Sequence, residues 1–247
     1  IGVSGVPHFL RRNPAGSRPP AELAGADLGP RDGSEHGDVQ DGQSSAVPPC
    51  PTAFVRSAYR DILGRPADSV GEAFAVGALA SGASRDQIAM FLLTSTEGFG
   101  VFVNRVYDEY LGRAPSSGEV STAIGTLASG VTPENFRAAI LGSAEYYIGP
   151  GLNTDAGFLD ALYLSLLNRA ASPTESASFL PLLAASGGHD AVIQAILGSA
   201  EYRTILASRS VTMMLARAAD TATLNYLNTL LSAGFTEFQI LSVLVAS

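Results

Sequence analysis

A pattern that returns every 48 residues constrains this chain more than any other feature of it. Phe54, Tyr59, Leu63-Gly64-Arg65, Gly82 and Ser95 recur as Phe102, Tyr107, Leu111-Gly112-Arg113, Gly130 and Ser143, each displaced by 48 positions. A third copy, displaced by a further 56, supplies Phe158, Tyr163, Leu167-Asn168-Arg169 and Ser199. A fourth, 48 positions on again, supplies Leu206, Val211, Leu215-Ala216-Arg217, Gly234 and Ser247. A period of this length marks one supersecondary unit used several times, each unit's apolar face being covered by its neighbours. A catalytic centre needs particular groups meeting once, so a motif that recurs with the fold unit points to architecture and away from chemistry.

The unit reads as helical. Between Phe54 and Leu63 the apolar residues Phe54, Val55, Ala58, Tyr59, Ile62 and Leu63 form one broad helix face. Gly64 is a left-handed stop and Pro66 prevents continuation. A second helix is expected from Ser69, as N-cap, to Ser81, where Gly82 ends it. Ser84 followed by Gln87 has the spacing of a capping box for a third helix through Ile88, Phe91, Leu92 and Leu93. Later copies keep this punctuation with other residues: Thr132 before Pro133, Thr236 with Gln239, Asn168 in place of glycine, and Ser186-Gly187-Gly188 at the displaced turn. The predicted fold is all-α, an array of about four three-helix repeats of 48 residues. Repeats one and two span 53–147, a connecting loop with the extra residues spans 148–157, and repeats three and four span 158–247.

Residues 1–52 have a different composition. Pro14, Pro19-Pro20, Pro30, Pro48-Pro49 and Pro51 stand among Gly, Ser, Asp and Arg, with too little apolar surface to offset chain entropy. They are expected to form an extended irregular arm, with Val6, Phe9 and Leu10 beside Arg11-Arg12 as the place where it would dock on a neighbour. At the other end, Ser247 occupies the position of Ser95, Ser143 and Ser199. The expectation is that the natural product continues, or that another chain covers Ile240, Leu241, Val243, Leu244 and Val245 in a head-to-tail assembly. The start at Ile1 leads to the expectation of a processed product or a segment of a longer one.

Composition narrows the chemistry further. The formal charge is -8, from 15 basic and 23 acidic residues, which argues against a nucleic-acid footprint. Every basic residue is arginine, so a phosphate-binding or Schiff-base lysine is excluded. Cys50 is the single cysteine, and His8, His36 and His189 are far apart in sequence; no cofactor and no metal site are expected. No apolar run approaches the roughly 18 residues of a membrane-spanning helix.

Three repeated residue types are candidates for a site. Arg65, Arg113, Arg169 and Arg217 each follow a helix end, where a guanidinium can meet the last carbonyls and offset the helix dipole. Glu97, Glu145 and Glu201 each lie two residues after a capping serine and are the expected partners of these arginines. Tyr59, Tyr107 and Tyr163 fall on the apolar face and are expected in the core. All ten are read as a structural motif, with no catalytic residue among them. His189-Asp190 is read as turn and cap.

The order Phe-Val, Tyr, Leu-Gly-Arg, Pro, Asp or Ser, then glycine at the end of the second helix and Ser-x-Glu-Tyr resembles the bacterial repeat family called domain of unknown function 4214, over residues 53–247. Copy one departs in having Gly98 where tyrosine stands elsewhere; copy four departs at Leu206, Val211 and Ala216. The resemblance implies an all-helical module of a secreted or cell-surface bacterial protein, and more distantly it is similar to the linker domains of phycobilisomes. The function expected from it is non-catalytic adhesion or protein assembly, including self-assembly into filaments. The partner is then a protein, itself or another surface protein. The alternatives are an intracellular scaffold of the phycobilisome-linker type and a module that binds anionic surface glycans through its arginines.

Overall fold

Local sequence punctuation accounts for nearly every helix boundary. The structure, a computed structural model, describes residues 50–247; the expected arm at 1–49, with Val6, Phe9, Leu10, His8 and His36, lies outside the described residues. Copy one comprises α1 (Pro51–Leu63), α2 (Ser69–Ala80) and α3 (Arg85–Leu93), and copy two α4 (Thr96–Leu111), α5 (Ser117–Ala128) and α6 (Pro133–Leu141). Copy three has α7 (Ala144–Ile148), α8 (Asp155–Leu167), α9 (Pro173–Leu183) and α10 (Gly188–Leu197); copy four has α11 (Ala200–Leu215), α12 (Thr221–Ser232) and α13 (Glu237–Ala246). No strand occurs among the described residues.

The residue after each first helix is left-handed: Gly64 at φ 70°, Gly112 at 64°, Asn168 at 56° and Ala216 at 51°. Only glycine and, less readily, asparagine adopt this conformation without strain, so the fourth copy holds an alanine where the fold asks for glycine. At the second helix the cap is Asp68 and not Ser69, since the Asp68 side chain accepts from the Gly71 amide. Ser116 and Ser172 take the same place in copies two and three.

Three expected boundaries shift. Pro51 and Thr52, assigned to the arm, form the first turn of α1, with Cys50 exposed as its N-cap, because proline is suited to the first helical position. The connecting loop is shorter than 148–157, since Ile148 ends α7 and Asp155 opens α8. Its extra residues interrupt what is one continuous helix in α4 and α11, and the loop holds Leu152 and Asn153 at positive φ.

Nor does the loop divide the molecule. Residues 50–247 form one compact unit, because the last helix packs on the first copy. Helix α13 lies against α3 and α11, and α6 lies against α10. A shift of 104 residues, the distance from Arg105 to Arg209, turns α3 into α10 and α6 into α13. The two contacts therefore pair equivalent helices of the two halves, the α3–α13 contact being the more extensive. This corrects the expected uncovered end. Ile240, Leu241, Leu244 and Val245 are buried and Val243 is partly covered, because the chain's own first copy supplies the apolar partner.

Candidate functional site: arginine forks and a charged seam

The arginine after the first helix of copies one to three is held from three sides. Arg113 donates Nε and Nη2 to the two carboxylate oxygens of Glu145 at 2.5 and 2.7 Å. Its Nη2 and Nη1 also donate to Glu119 at 2.7 and 3.1 Å, and Nη1 donates to the Ala114 carbonyl. Arg169 repeats the arrangement with Glu201, Glu175 and the Ala170 carbonyl. A guanidinium has five N–H groups, and in both residues all five are engaged. Arg65 makes the same fork to Glu97 but meets Asp68, the shorter acid that caps α2, with Nη1 alone. Arg217 contacts Asp220 and the Ala218 carbonyl.

The tyrosines lie beneath these forks. Arg65, Arg113 and Arg169 sit 5.4, 5.2 and 5.0 Å above the rings of Tyr59, Tyr107 and Tyr163, which are buried. A cation over an aromatic face is attracted by the ring quadrupole, so each fork is fixed by two acids and a ring. The arginines do not reach the helix's last carbonyls, as the sequence suggested; each donates to the carbonyl of the residue that follows it.

Pairing shows in the titration of the acids. The Arg113 guanidinium, helped by the backbone and hydroxyl of Ser116, holds the Glu119 carboxyl at about 2. Glu97, Glu145, Glu175 and Glu201 are all lowered by their arginines. Burial pushes Tyr163 up to about 12, with Glu175 adding to the effect. Glu119 and Glu175 escaped the sequence reading, although each is the third residue after a capping serine, a visible capping-box pattern.

A second charged cluster escaped it altogether. Arg137 on α6 forks onto Glu237 on α13, with both side chains almost fully buried, at 3 % and 2 % exposure. Arg105 on α4 donates to the same carboxylate at 2.9 Å, and the Glu237 amide donates to Glu134 Oε1 at 2.6 Å. Nearby, Arg209 on α11 donates to Glu109 at 2.5 Å and to the Ser165 carbonyl. Burial alone would push the Glu237 carboxyl up, but Arg137 and Arg105 bring it below its ordinary value. The ion pairs of this seam join copy two to copy four. Tyr110 and Ser210, one residue on from Glu109 and Arg209, bury hydroxyls that have no partner among the described residues. The available signal was a break in a column: Arg137 stands where the other copies have Ala89, Ile193 and Leu241, all buried.

His189 does not pair with Asp190. Its Nε2 is 3.2 Å from Asp155 Oδ1, which also accepts from the Tyr147 hydroxyl, and its ring packs edge-on against Tyr147 and Phe158. This clasp ties α10 to the start of α8. No nucleophile in hydrogen-bonding reach of the imidazole completes a hydrolytic triad among the described residues.

The repeat geometry is thus carried by helix caps, arginine forks and tyrosine platforms. Residues 49–100 match the family model described as Domain of unknown function (DUF4214). No curated protein and no solved structure matches the chain. The DUF4214 match ends within α4, so it spans copy one together with Ser95 and Glu97, the acid that Arg65 grips. The fork from Arg65 to Glu97 is therefore formed across the junction of copies one and two. Among the described residues no helix is long and apolar enough to cross a membrane.

Proposed function

We propose that this chain is a non-catalytic helical module of a bacterial extracellular or cell-surface protein and that it acts in adhesion or protein assembly. The observation that carries the proposal is the use to which the repeated polar residues are put. On Arg113 and Arg169 every guanidinium donor is spent on the fold, and the glutamates that recur are the partners of these arginines. A module whose repeated charges are consumed internally acts through its remaining surface, as helical repeat proteins do. At Arg113 and Arg169 the same saturation counts against an anionic-glycan site, since a sulfate or carboxylate would have to displace two glutamates there.

The test is fractionation of cells that produce the protein, beside a cytosolic marker, followed by an adhesion or aggregation assay on cells lacking residues 50–247. The expected result is recovery in the surface or culture-fluid fraction and loss of adhesion or assembly in the deletion. Recovery wholly in the soluble interior would replace this reading with that of an intracellular scaffold. A deletion that leaves adhesion and assembly intact would remove it.

A further inference from the structure

One guanidinium contact on the charged seam is made to sulfur. Arg105 on α4 divides its donors: Nη2 goes to Glu237, and Nη1 donates to Met213 Sδ on α11 at 2.7 Å. The shift of 104 residues relates this contact to a second one. It carries Arg105 onto Arg209 and Glu109 onto Met213, and Arg209 Nη1 donates to Glu109 Oε1 at 2.5 Å. The same two positions thus meet twice between α4 and α11, once as arginine with carboxylate and once as arginine with thioether. Thioether sulfur is a weak acceptor, and 2.7 Å is an ordinary distance for an oxygen. Elsewhere on the seam the guanidinium acceptors are oxygens.

We propose that Met213 is an oxidation site, taking one oxygen from a peroxide, and that the fold receives the sulfoxide at Arg105 as it receives Glu109 at Arg209. Bond count supports the match. An oxygen on Sδ of methionine stands as many bonds from the backbone as Oε1 on Cδ of glutamate, so the new acceptor lies where the equivalent position already carries one. Access supports it too: Met213 is only partly buried, whereas Met214 beside it is 6 % exposed. In the reaction a lone pair of Sδ attacks one peroxide oxygen, and the S–O bond forms as the O–O bond breaks. Hydroxide leaves and takes the proton of the transferred oxygen to become water. Sulfur gives up two electrons and the peroxide is reduced by them. The methionine side chain is flexible, and a turn about Cγ–Sδ brings the oxygen to Arg105 Nη1. A sulfoxide in a core is ordinarily disruptive, because its oxygen loses water. Here a cationic N–H replaces that water, and a charge-assisted bond to oxygen is stronger than a contact to sulfur. Oxidation of Met213 therefore tightens the join between copies two and four.

The experiment uses the whole 247-residue chain carrying Met90→Leu, which removes the other partly buried methionine. It is treated with dilute hydrogen peroxide, each remaining methionine is followed by peptide mass spectrometry, and the fold by thermal melting. Met213 is expected to gain one oxygen while Met214 stays reduced, and the melting temperature is expected to rise by a few degrees. Met213→Leu in the same background keeps Cys50 but has no sulfur at this place, and its melting temperature is expected to be unchanged by the treatment. Met213→Gln puts an amide oxygen at the bond count of Glu109 Oε1 and is expected to melt, untreated, as the oxidised chain does. A Met213 that stays reduced in the folded chain overturns the proposal. So does an oxidised chain that melts no higher than the untreated one, a shift that persists in Met213→Leu, or a Met213→Gln chain that melts below its untreated parent.

Discussion

Ala216 is a residue at which the repeat pattern and the backbone disagree. It holds φ 51° where the equivalent positions have Gly64, Gly112 and Asn168. A left-handed conformation strains an L-residue with a Cβ by about 1–2 kcal/mol, against about 0.5–1 kcal/mol for the extra chain entropy of glycine. Ala216→Gly is therefore expected to stabilise the fold by about 0.5–1 kcal/mol, and a lower melting temperature would contradict it. At Arg113 the expectation is the reverse. Arg113→Ala leaves Glu119 and Glu145 facing one another without their cation and should lower the melting temperature by a few degrees. The acids give the pH dependence. Glu119 has a folded value near 2, below its unfolded value of about 4.5, so its contribution is fully present above 4.5 and is lost as the pH falls from 4.5 towards 2. Melting temperatures of the parent should fall through that window, and those of Arg113→Ala should fall less steeply. Equal slopes would show that the fork contributes nothing to the acid sensitivity.

Helix boundaries were legible wherever one residue decides them. Gly64, Gly112 and Asn168 stop helices by their own backbone preferences, and Ser84 with Gln87 caps α3 through groups three residues apart. What the sequence hid lies between elements. Arg137 and Glu237 are separated by 100 positions and by two different columns of the repeat, so neither period nor spacing relates them. The pairing of α3 with α13 was equally hidden, because every third helix has an apolar face and nothing local says which two will meet. Gly98 shows how such proximity reaches back to a single position. Copies two and three carry Tyr146 and Tyr202 there, yet a Cβ on Gly98 would come within 2.1 Å of the Leu92 carbonyl in the last turn of α3. Gly98→Ala is thus expected to destabilise by at least about 2 kcal/mol, by overpacking against backbone. A chemical-denaturation curve checks it, and an unchanged midpoint would mean that the α3–α4 junction has room to relax.

At the largest scale residues 50–247 close on themselves, and the buried seam is where that closure is specified. Removing one partner of a buried ion pair strands the other and typically destabilises by about 3–5 kcal/mol, whereas replacing both by apolar residues is close to neutral. Glu237→Leu should show the first effect, and adding Arg137→Met to it should recover much of the loss in a double-mutant cycle with Arg137→Met alone. Full additivity of the single substitutions would show that the seam does not couple copy two to copy four. The closure also sets an order of events at the ribosome. Helix α3 ends at Leu93 and its mate α13 begins at Glu237, so about 140 residues must be made in between, which takes roughly 7 to 30 s at about 5–20 residues per second. For that interval Ile88, Leu92 and Leu93 have no α13 to cover them, and the first copy waits, open to a chaperone, until the last helix emerges.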